Sequence, residues 1–404
     1  MTESSSGGDL SQLRRLNSLA VITVLREEPA LTLTEVSRRT GLSRASTEDV
    51  VRELLELGWV AVVPAAAGAV GRPARRFRFR ADAGRVLGVD IGGHKVLALV
   101  ADLDGAVQYT ARVAVTPSMG RRERLAALDR AVADALAGAG LTADGVWAVG
   151  AATTGLVDGT GRVMLSEALP EWTGVDVAAH LRRLVGGPVL VENDSKLAAL
   201  AESWRGVARY AKDVVVILAG LRTGTGLIID GKLHRGFGNA AGEIGALPAS
   251  GWIRAQDHLT AWSDADPTAD RDSAVAAVFE AARAGDRRAA AVIRRYVRDV
   301  AVGTAALVLT LDPELVVLGG GFSRSADLIV EPLRRELDRW CLRTPEVRVS
   351  EFGDEGVALG ALRLALDHVD RELREYAGLG SPERFSRGSR RSGAVAVTPP
   401  ATTS

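Results

Sequence analysis

Val86 to Gly105 reads V-L-G-V-D-I-G-G-H-K-V-L-A-L-V-A-D-L-D-G. An apolar run leads into Asp90, Gly92-Gly93 turns the chain, a second apolar run follows, and Asp104-Gly105 turns it again. Aliphatic strands bounded by Gly and Asp predict a β-hairpin. The turn also carries chemistry. Asp90, Gly92, Gly93 and Lys95 set bare backbone N–H groups beside a carboxylate and a cation, which is how proteins hold phosphate. The same shape returns at Val214 to Gly231, V-V-V-I-L-A-G-L-R-T-G-T-G-L-I-I-D-G. Two such hairpins, separated by residues 106–213, predict two related α/β lobes with a cleft between them.

Composition bounds the rest. A chain of 404 residues with 47% hydrophobic content can bury a large core, in two or three domains. Net charge is zero, so affinity for nucleic acid has to come from a local patch. The single cysteine, Cys341, excludes a disulfide framework and a cysteine cluster for structural zinc. No signal peptide and no membrane-length apolar run is evident, so the expected location is the cytoplasm, with no membrane partner.

Ahead of the first hairpin lies a compact helical unit. Residues 1–10 are Ser/Gly-rich and expected to be disordered. Leu13, Leu16, Leu19 and Ile22 are spaced for one helix face. Thr32-Leu33-Thr34-Glu35 is a capping box opening a short second helix that stops at Gly41. Ser43 can cap a third helix whose Thr47, Val51, Leu54 and Leu55 share a face. Short helix, Gly-containing turn and longer helix match helix-turn-helix spacing. Trp59 to Val63 and Phe77 to Phe79 then read as strands flanking a flexible tip, Pro64 to Gly71, which makes a wing. Five arginines and no acid lie between Gly71 and Arg80. Arg72 and Arg75 at the wing tip are candidates for the minor groove, and Arg44, Ser46 and Thr47 for base edges in the major groove.

The remaining motifs carry a family resemblance. Asp90-Ile91-Gly92-Gly93-His94-Lys95, Thr153-Thr154-Gly155, Trp172-Thr173-Gly174-Val175, Glu192-Asn193-Asp194 and Gly242-Glu243-Ile244-Gly245 together resemble the ROK family of sugar kinases and sugar-responsive repressors. The G-R-P-A-R run from Gly71 resembles the wing of its repressors. The resemblance implies an α/β fold: an N-terminal winged helix-turn-helix followed by a two-lobed actin-like ATPase (ROK) domain. Expected boundaries are 11–82 for the winged head, 83–377 for the effector domain and 378–404 for a disordered basic tail. It further implies that a sugar sits near Gly155, Asn193, Asp194 and Glu243, with Asp194 in the place of the kinases' general base. From the residues alone, Asp194 also qualifies as the cap of a helix Ser195 to Trp204.

The departures are as informative. The family's D-x-G-G-T-K has His94 at its Thr. Its second phosphate turn, G-T-G-x-G-x-G, here reads Gly220-Leu221-Arg222-Thr223-Gly224-Thr225-Gly226, placing side chains where backbone has to approach phosphate. Arg222 is expected to fill that site or to salt-bridge across the cleft. The family's G-E-x-G-H ends in Ala246, and His258 and Asp257 alone do not make a zinc site. Asp90, Gly92, Gly93, Lys95, Gly224, Gly226 and Gly320 are therefore read as vestigial nucleotide-binding positions, with no cofactor and no metal. The resulting expectation is a DNA-binding regulator, a repressor acting as a homodimer or homotetramer on an operator and answering to a sugar or sugar derivative. The alternatives are an ATP-dependent hexose or N-acetylhexosamine kinase, and a regulator whose pocket binds nothing.

Overall fold

The computed structural model describes residues 7–64, 74–220, 222–262, 271–375 and 380–382. The head comprises α1 (Gly7–Glu27), β1 (Leu31–Thr32), α2 (Leu33–Thr40), α3 (Arg44–Leu57), β2 (Val60–Val63) and β3 (Arg76–Phe79). Its joints follow from local chemistry. The Thr32 hydroxyl accepts from the Glu35 N–H while the Glu35 carboxylate accepts from the Thr32 N–H, and Gly41 ends α2 at φ +72°. Ser43 caps α3 by accepting from the Ser46 N–H at 3.1 Å.

Three expectations need correction here. Helix α1 starts at Gly7, inside the stretch expected to be disordered. Leu13 and Leu16 are each 52% exposed; the buried face begins at Ser18 and runs through Val21, Ile22 and Leu25, because only this part of α1 lies over the head's core. The two-residue β1 adds a third strand beside the wing, in order β1-β3-β2, too short to register as a strand pattern. Most of the tip expected at Pro64 to Gly71 lies outside the described residues.

The first lobe holds β4 (Arg85–Ile91), β5 (Lys95–Asp102), β6 (Val107–Ala114), α4 (Arg121–Gly138), β7 (Ala148–Thr153), β8 (Leu156–Val157), β9 (Val163–Leu165), α5 (Val177–Leu181) and β10 (Val189–Asn193). Helix α6 (Asp194–Arg205) leads out of it. The second lobe holds β11 (Val214–Leu218), β12 (Gly224–Ile229), β13 (Lys232–Leu233), α7 (Trp252–Thr260), α8 (Arg271–Arg283), α9 (Arg287–Leu311), β14 (Leu315–Gly319), α10 (Ala326–Trp340) and β15 (Glu346–Val349). Helix α11 (Gly356–Glu375) returns to the first lobe. The sheets run β6-β5-β4-β7-β10 and β13-β12-β11-β14-β15. In each, the first strand of the hairpin pairs antiparallel with the second and parallel with the fourth strand of the lobe. The repeat expected from the two hairpins is thus a repeat of whole sheets.

Strand alternation sorts side chains between layers. Val215 and Ile217 of β11 join the core under α7–α10, whereas Val214 and Val216 face Ala199 of α6. Helices α6 and α11 cross where the lobes meet, and glycines let them come close. A Cβ on Gly360 of α11 would sit 1.8 Å from the Leu197 carbonyl oxygen of α6, and one on Gly150 of β7 would sit 1.9 Å from that of Ala361. Residues 321–325 form a 3-10 turn before α10 begins at Ala326, and the Ser323 hydroxyl donates to the Gly320 carbonyl.

The head is not an appendage. Trp59 at the end of α3 is fully buried, stacks on Phe79 at 6.3 Å and meets Trp147 of the first lobe edge-on at 5.9 Å. Its indole N–H donates to the Gly380 carbonyl, so part of the tail expected to be disordered is packed against the head. Arg26 of α1 donates to Asp104 in the β5–β6 turn at 3.2 Å and to Asp370 of α11 at 2.7 Å, lying over the Phe79 ring.

Candidate DNA-contacting face and interlobe cleft

On the head, Arg44 is exposed at the first position of α3 and Ser46 is half-buried one turn from the cap, its hydroxyl 2.9 Å from that of Ser43. Thr47 is not available to a base edge. It is fully buried and donates its hydroxyl to the Ser43 carbonyl at 2.8 Å, because its spacing with Val51 and Leu54 turns it into the core. Arg75 is exposed just before β3; Arg72 lies outside the described residues. The neighbouring arginines knit the wing together instead. Arg76 donates to the Ala30 carbonyl, and Arg78 and Arg80 pair with Asp82 at 3.2 and 3.4 Å.

The cleft is built around the start of α6, beyond the end of β10, where α/β folds bind ligands. Asn193, not Asp194, is the helix cap. Its Oδ1 accepts from the Ser195 and Lys196 N–H groups and from the Ser195 hydroxyl, and its Nδ2 donates to the Gly155 carbonyl at 3.0 Å. Asn193 therefore spends its acceptor on the fold and pins the Gly155 loop. Gly155 holds φ +106°, and a Cβ there would lie 2.3 Å from the Leu165 carbonyl oxygen, so the loop requires glycine.

Asp194 is the first residue of α6 and is partly exposed. It accepts from the Thr154 hydroxyl at 3.0 Å and the Ser195 N–H at 2.8 Å, yet burial pushes its carboxyl up. Asp90, 6% exposed, is pushed up to about 7 by burial, with Lys95 at 3.7 Å opposing the rise and Asp194 adding to it. Glu243 is solvent-accessible but recessed among neighbours; its carboxyl is raised by desolvation and by Asp194, against Lys196. The structure thus brings Asp90, Asp194 and Glu243 into one field. The sequence reading passed over Lys196, which is fully buried and donates to the Asn239 carbonyl, and Glu192, which is buried and accepts from Arg235 at 2.6 Å. Glu192 and Arg235 stand 43 residues apart, so no local pattern marks the pair.

These carboxyls predict a pH dependence. The folded value of Asp90, about 7, exceeds the unfolded value near 4, so between those pH values the folded state holds the extra proton. The protein therefore loses stability from this group as pH rises from about 4 to 7, and no more above that. Asp90→Asn, neutral throughout, is expected to melt higher than the parent at pH 8, with the gain shrinking toward pH 5. A difference in melting temperature that is constant across that range would refute the assignment.

The phosphate turns are differently disposed. Gly224 and Gly226 lie in β12 against α6, where Cβ atoms would meet the Ser195 hydroxyl at 2.7 Å and carbonyl at 2.4 Å. Their glycines serve close packing, not an open cradle. Gly320, at φ +83°, packs 2.4 Å from the Ala219 carbonyl oxygen by the same measure. Arg222 crosses the cleft to donate to the Glu167 carbonyl at 2.8 Å and lies 3.5 Å from its carboxylate. Gly92 and Gly93 turn between β4 and β5, and the fully buried Arg124 of α4 donates to the Gly92 carbonyl at 2.5 Å. Lys95 is drawn onto Asp90 and Asp354. Each of these residues thus has a partner or a close packing neighbour within the fold. They do not suggest zinc: His258 pairs with Asp299 at 2.9 Å, and among the described residues no group of three or more His, Cys, Asp or Glu is placed to hold a metal. No helix among them is long and apolar enough to cross a membrane.

Comparison with known proteins fits this geometry. Residues 86–368 match the model of the ROK family and residues 16–64 that of the IclR helix-turn-helix domain. The xylose repressor of Caldicellulosiruptor bescii is 23% identical over 92% of this chain and 100% of its own. The glucokinase of Streptomyces coelicolor is 28% identical over 70% of this chain and 98% of its own. Among solved structures, a ROK family transcriptional regulator homologous to the E. coli MLC protein superposes with TM-score 0.66 at 18% identity, covering 93% of this chain and 100% of its own. A Streptomyces griseus ROK glucokinase bound to glucose and AMPPNP gives TM-score 0.60 at 29% identity, over 70% of this chain and 100% of its own.

Proposed function

We propose, from the premise that this chain belongs to the ROK family, that it is a sequence-specific DNA-binding repressor whose affinity for DNA is set by a sugar or sugar derivative in the interlobe cleft. One observation carries this reading. The head, whose residues 16–64 match a helix-turn-helix model, shares a continuous apolar core with the first lobe and α11, and the xylose repressor covers 92% of this chain where the glucokinase covers 70%. In this reading the chain divides at 11–82 and 83–377, works in the cytoplasm as a homodimer or homotetramer, and sets paired α3 helices on a two-fold operator. Arg44 and Ser46 read the major groove; Arg75, with Arg72, lies along the backbone or minor groove.

The cleft has the chemistry for a polyol. Asp194 and Glu243 accept sugar hydroxyls, and Gly155 with Asn193 shapes the loop opposite. Catalysis is not part of the proposal, since Arg222, Gly224 and Gly226 are committed to the fold where phosphates have to lie. A sugar releases DNA only insofar as it binds the DNA-incompetent arrangement better than the competent one. Helix α6 is a route for that difference. Its first turn carries Asp194, and its last carries Arg205, which donates to the Asp104 and Gly105 carbonyls of the turn held by Arg26 of the head. The two ends are about 18 Å apart.

The test is fluorescence anisotropy with DNA from the gene's own upstream region, repeated with a panel of pentoses and hexoses that includes xylose. Specific binding weakened by one sugar is the expected result; binding indifferent to all of them removes the effector role. Arg44→Ala is expected to weaken specific binding about tenfold or more, as loss of a base-edge contact does. Unchanged affinity would take α3 out of the groove.

A further inference from the structure

We propose that Arg52, held in place by Asp49, reads a guanine in the major groove, as a base contact separate from that of Arg44. This rests on the reading of α3 as the helix that enters the groove. Thr47, Val50, Val51 and Leu54 are the buried positions of α3. At about 100° per residue they share one side of the helix, and Ala45, Asp49 and Arg52 fall on the opposite one. All three are exposed, the side chain of Asp49 at 73% and that of Arg52 at 61%. Ala45 lets the helix lie close to the base edges, and Arg52 is long enough to reach them from the next turns. Its Nη2 donates to the Asp49 carboxylate, three residues back. This contact uses one side of the guanidinium. The remaining donors suit the O6 and N7 acceptors of a guanine, which an arginine meets as a fork.

Two features favour a base contact over a solvated helix pair, which by itself contributes little. The first is charge balance. Helix α3 carries two arginines, Arg44 and Arg52, against four acids, Glu48, Asp49, Glu53 and Glu56. As a whole it repels phosphates, so its share of DNA affinity has to come from particular contacts and not from general attraction. The second is geometry. Arg44 and Arg52 lie about 12 Å apart along the helix, so their forks address different base pairs. An acid on the groove side lowers affinity for every duplex unless it sharpens a contact. Asp49 does so by fixing the Arg52 rotamer, which reduces the entropy lost when the base is met. Arg52 is the reading residue in this arrangement, and Asp49 is a positioning residue.

The test is binding of the full chain to duplex DNA from the gene's own upstream region, footprinted and then substituted one base pair at a time. An unrelated duplex of equal length is the reference. Arg52→Ala is expected to lower affinity for the footprinted site about tenfold or more, and affinity for the unrelated duplex far less. One guanine outside the set that Arg44→Ala affects should stop mattering. Replacing it with 7-deazaguanine, which lacks the N7 acceptor, is expected to weaken the parent and not Arg52→Ala. Asp49→Asn separates positioning from charge. By charge alone, removing an acid from the groove side tightens binding to every duplex; the expected result is weaker binding to the site and tighter binding to the unrelated duplex. Both side chains are exposed, so parent-like melting is expected of each variant. Equal losses on both duplexes, with a salt slope reduced by about one, make Arg52 a phosphate contact and overturn the proposal. Site affinity unchanged by Arg52→Ala but lowered by Arg44→Ala overturns it alone. A parent that prefers no sequence overturns the reading of α3, and this inference with it.

Discussion

Gly360→Val should yield little or no soluble protein, and what folds should melt far below the parent. Gly360 sits in α11 where that helix crosses α6, and the Cβ of any larger residue would lie 1.8 Å from the Leu197 carbonyl oxygen and 2.5 Å from its carbon. The obstacle is helix backbone, not the end of a flexible side chain, so relief requires moving α6 or α11 as a body. Neither is free to move. Helix α11 presses on the first sheet through Gly88 and Gly150, where Cβ atoms would meet the Ala358 and Ala361 carbonyl oxygens at 2.7 and 1.9 Å, and α6 presses on β12 at Gly226. Overpacking commonly costs about 1–3 kcal/mol and more when backbone has to shift, so a loss of at least about 3 kcal/mol is expected. Gly159→Ala is the control, since nothing lies within 4 Å of that position. Parent-like melting of Gly360→Val would mean that the two helices do not cross as closely as described.

Arg26→Ala should separate the head from the effector domain without unfolding either. The Arg26 side chain is 22% exposed and Asp370 13%, and the guanidinium also donates to the Leu103 carbonyl. Truncation leaves Asp370 with Arg363 at 3.4 Å, and takes from Asp104 the guanidinium that lies 3.2 Å away. Removing one member of a mostly buried pair strands its partner's charge, and a loss of about 2 kcal/mol is expected after allowance for the residual exposure. The head's own core of Val21, Val36, Val51 and Leu54 is untouched. Hydrogen exchange is expected to speed up in the second half of α1 and in the Leu103–Ala106 turn, with α2 and α3 little changed. In DNA binding, the variant is expected to keep specific affinity and to lose its response to the effector. Unchanged protection of α1 would show that Trp59 and its neighbours carry the docking alone.

Much of the fold was legible because its signals are short-ranged. The capping box at Thr32 and Glu35, Gly41 beyond α2 and the Asp-Gly turns act within a few residues, and the structure has each where the sequence has it. Thr47 shows that the local signal was even stronger than the use made of it. Its spacing with Val51 and Leu54 already turned it inward, which a base-reading role contradicts. Asn193 and Asp194 are the opposite case. Both residue types cap helices well, and only the fold shows that Asn193 takes the cap while Asp194 becomes the first residue of α6 and pairs with Thr154.

The glycines and charges of the cleft were legible in kind but not in partner. Gly224 and Gly226 serve equally as a phosphate cradle or as close packing in a one-dimensional reading; the approach of α6 decides for packing. Arg222 meets the carboxylate of Glu167, 55 residues away, and Lys95 that of Asp354, 259 residues away. By itself the sequence determined the kinds of element, their order and the repeat of two lobes behind a winged head, because periodicity, caps and turns are written over a few residues. Which carboxylate faces the cleft, which glycine is packed and which cation is already neutralised were decided by the tertiary structure alone, because Coulomb attraction and close packing act between atoms that the fold brings within a few ångströms, whatever their separation along the chain.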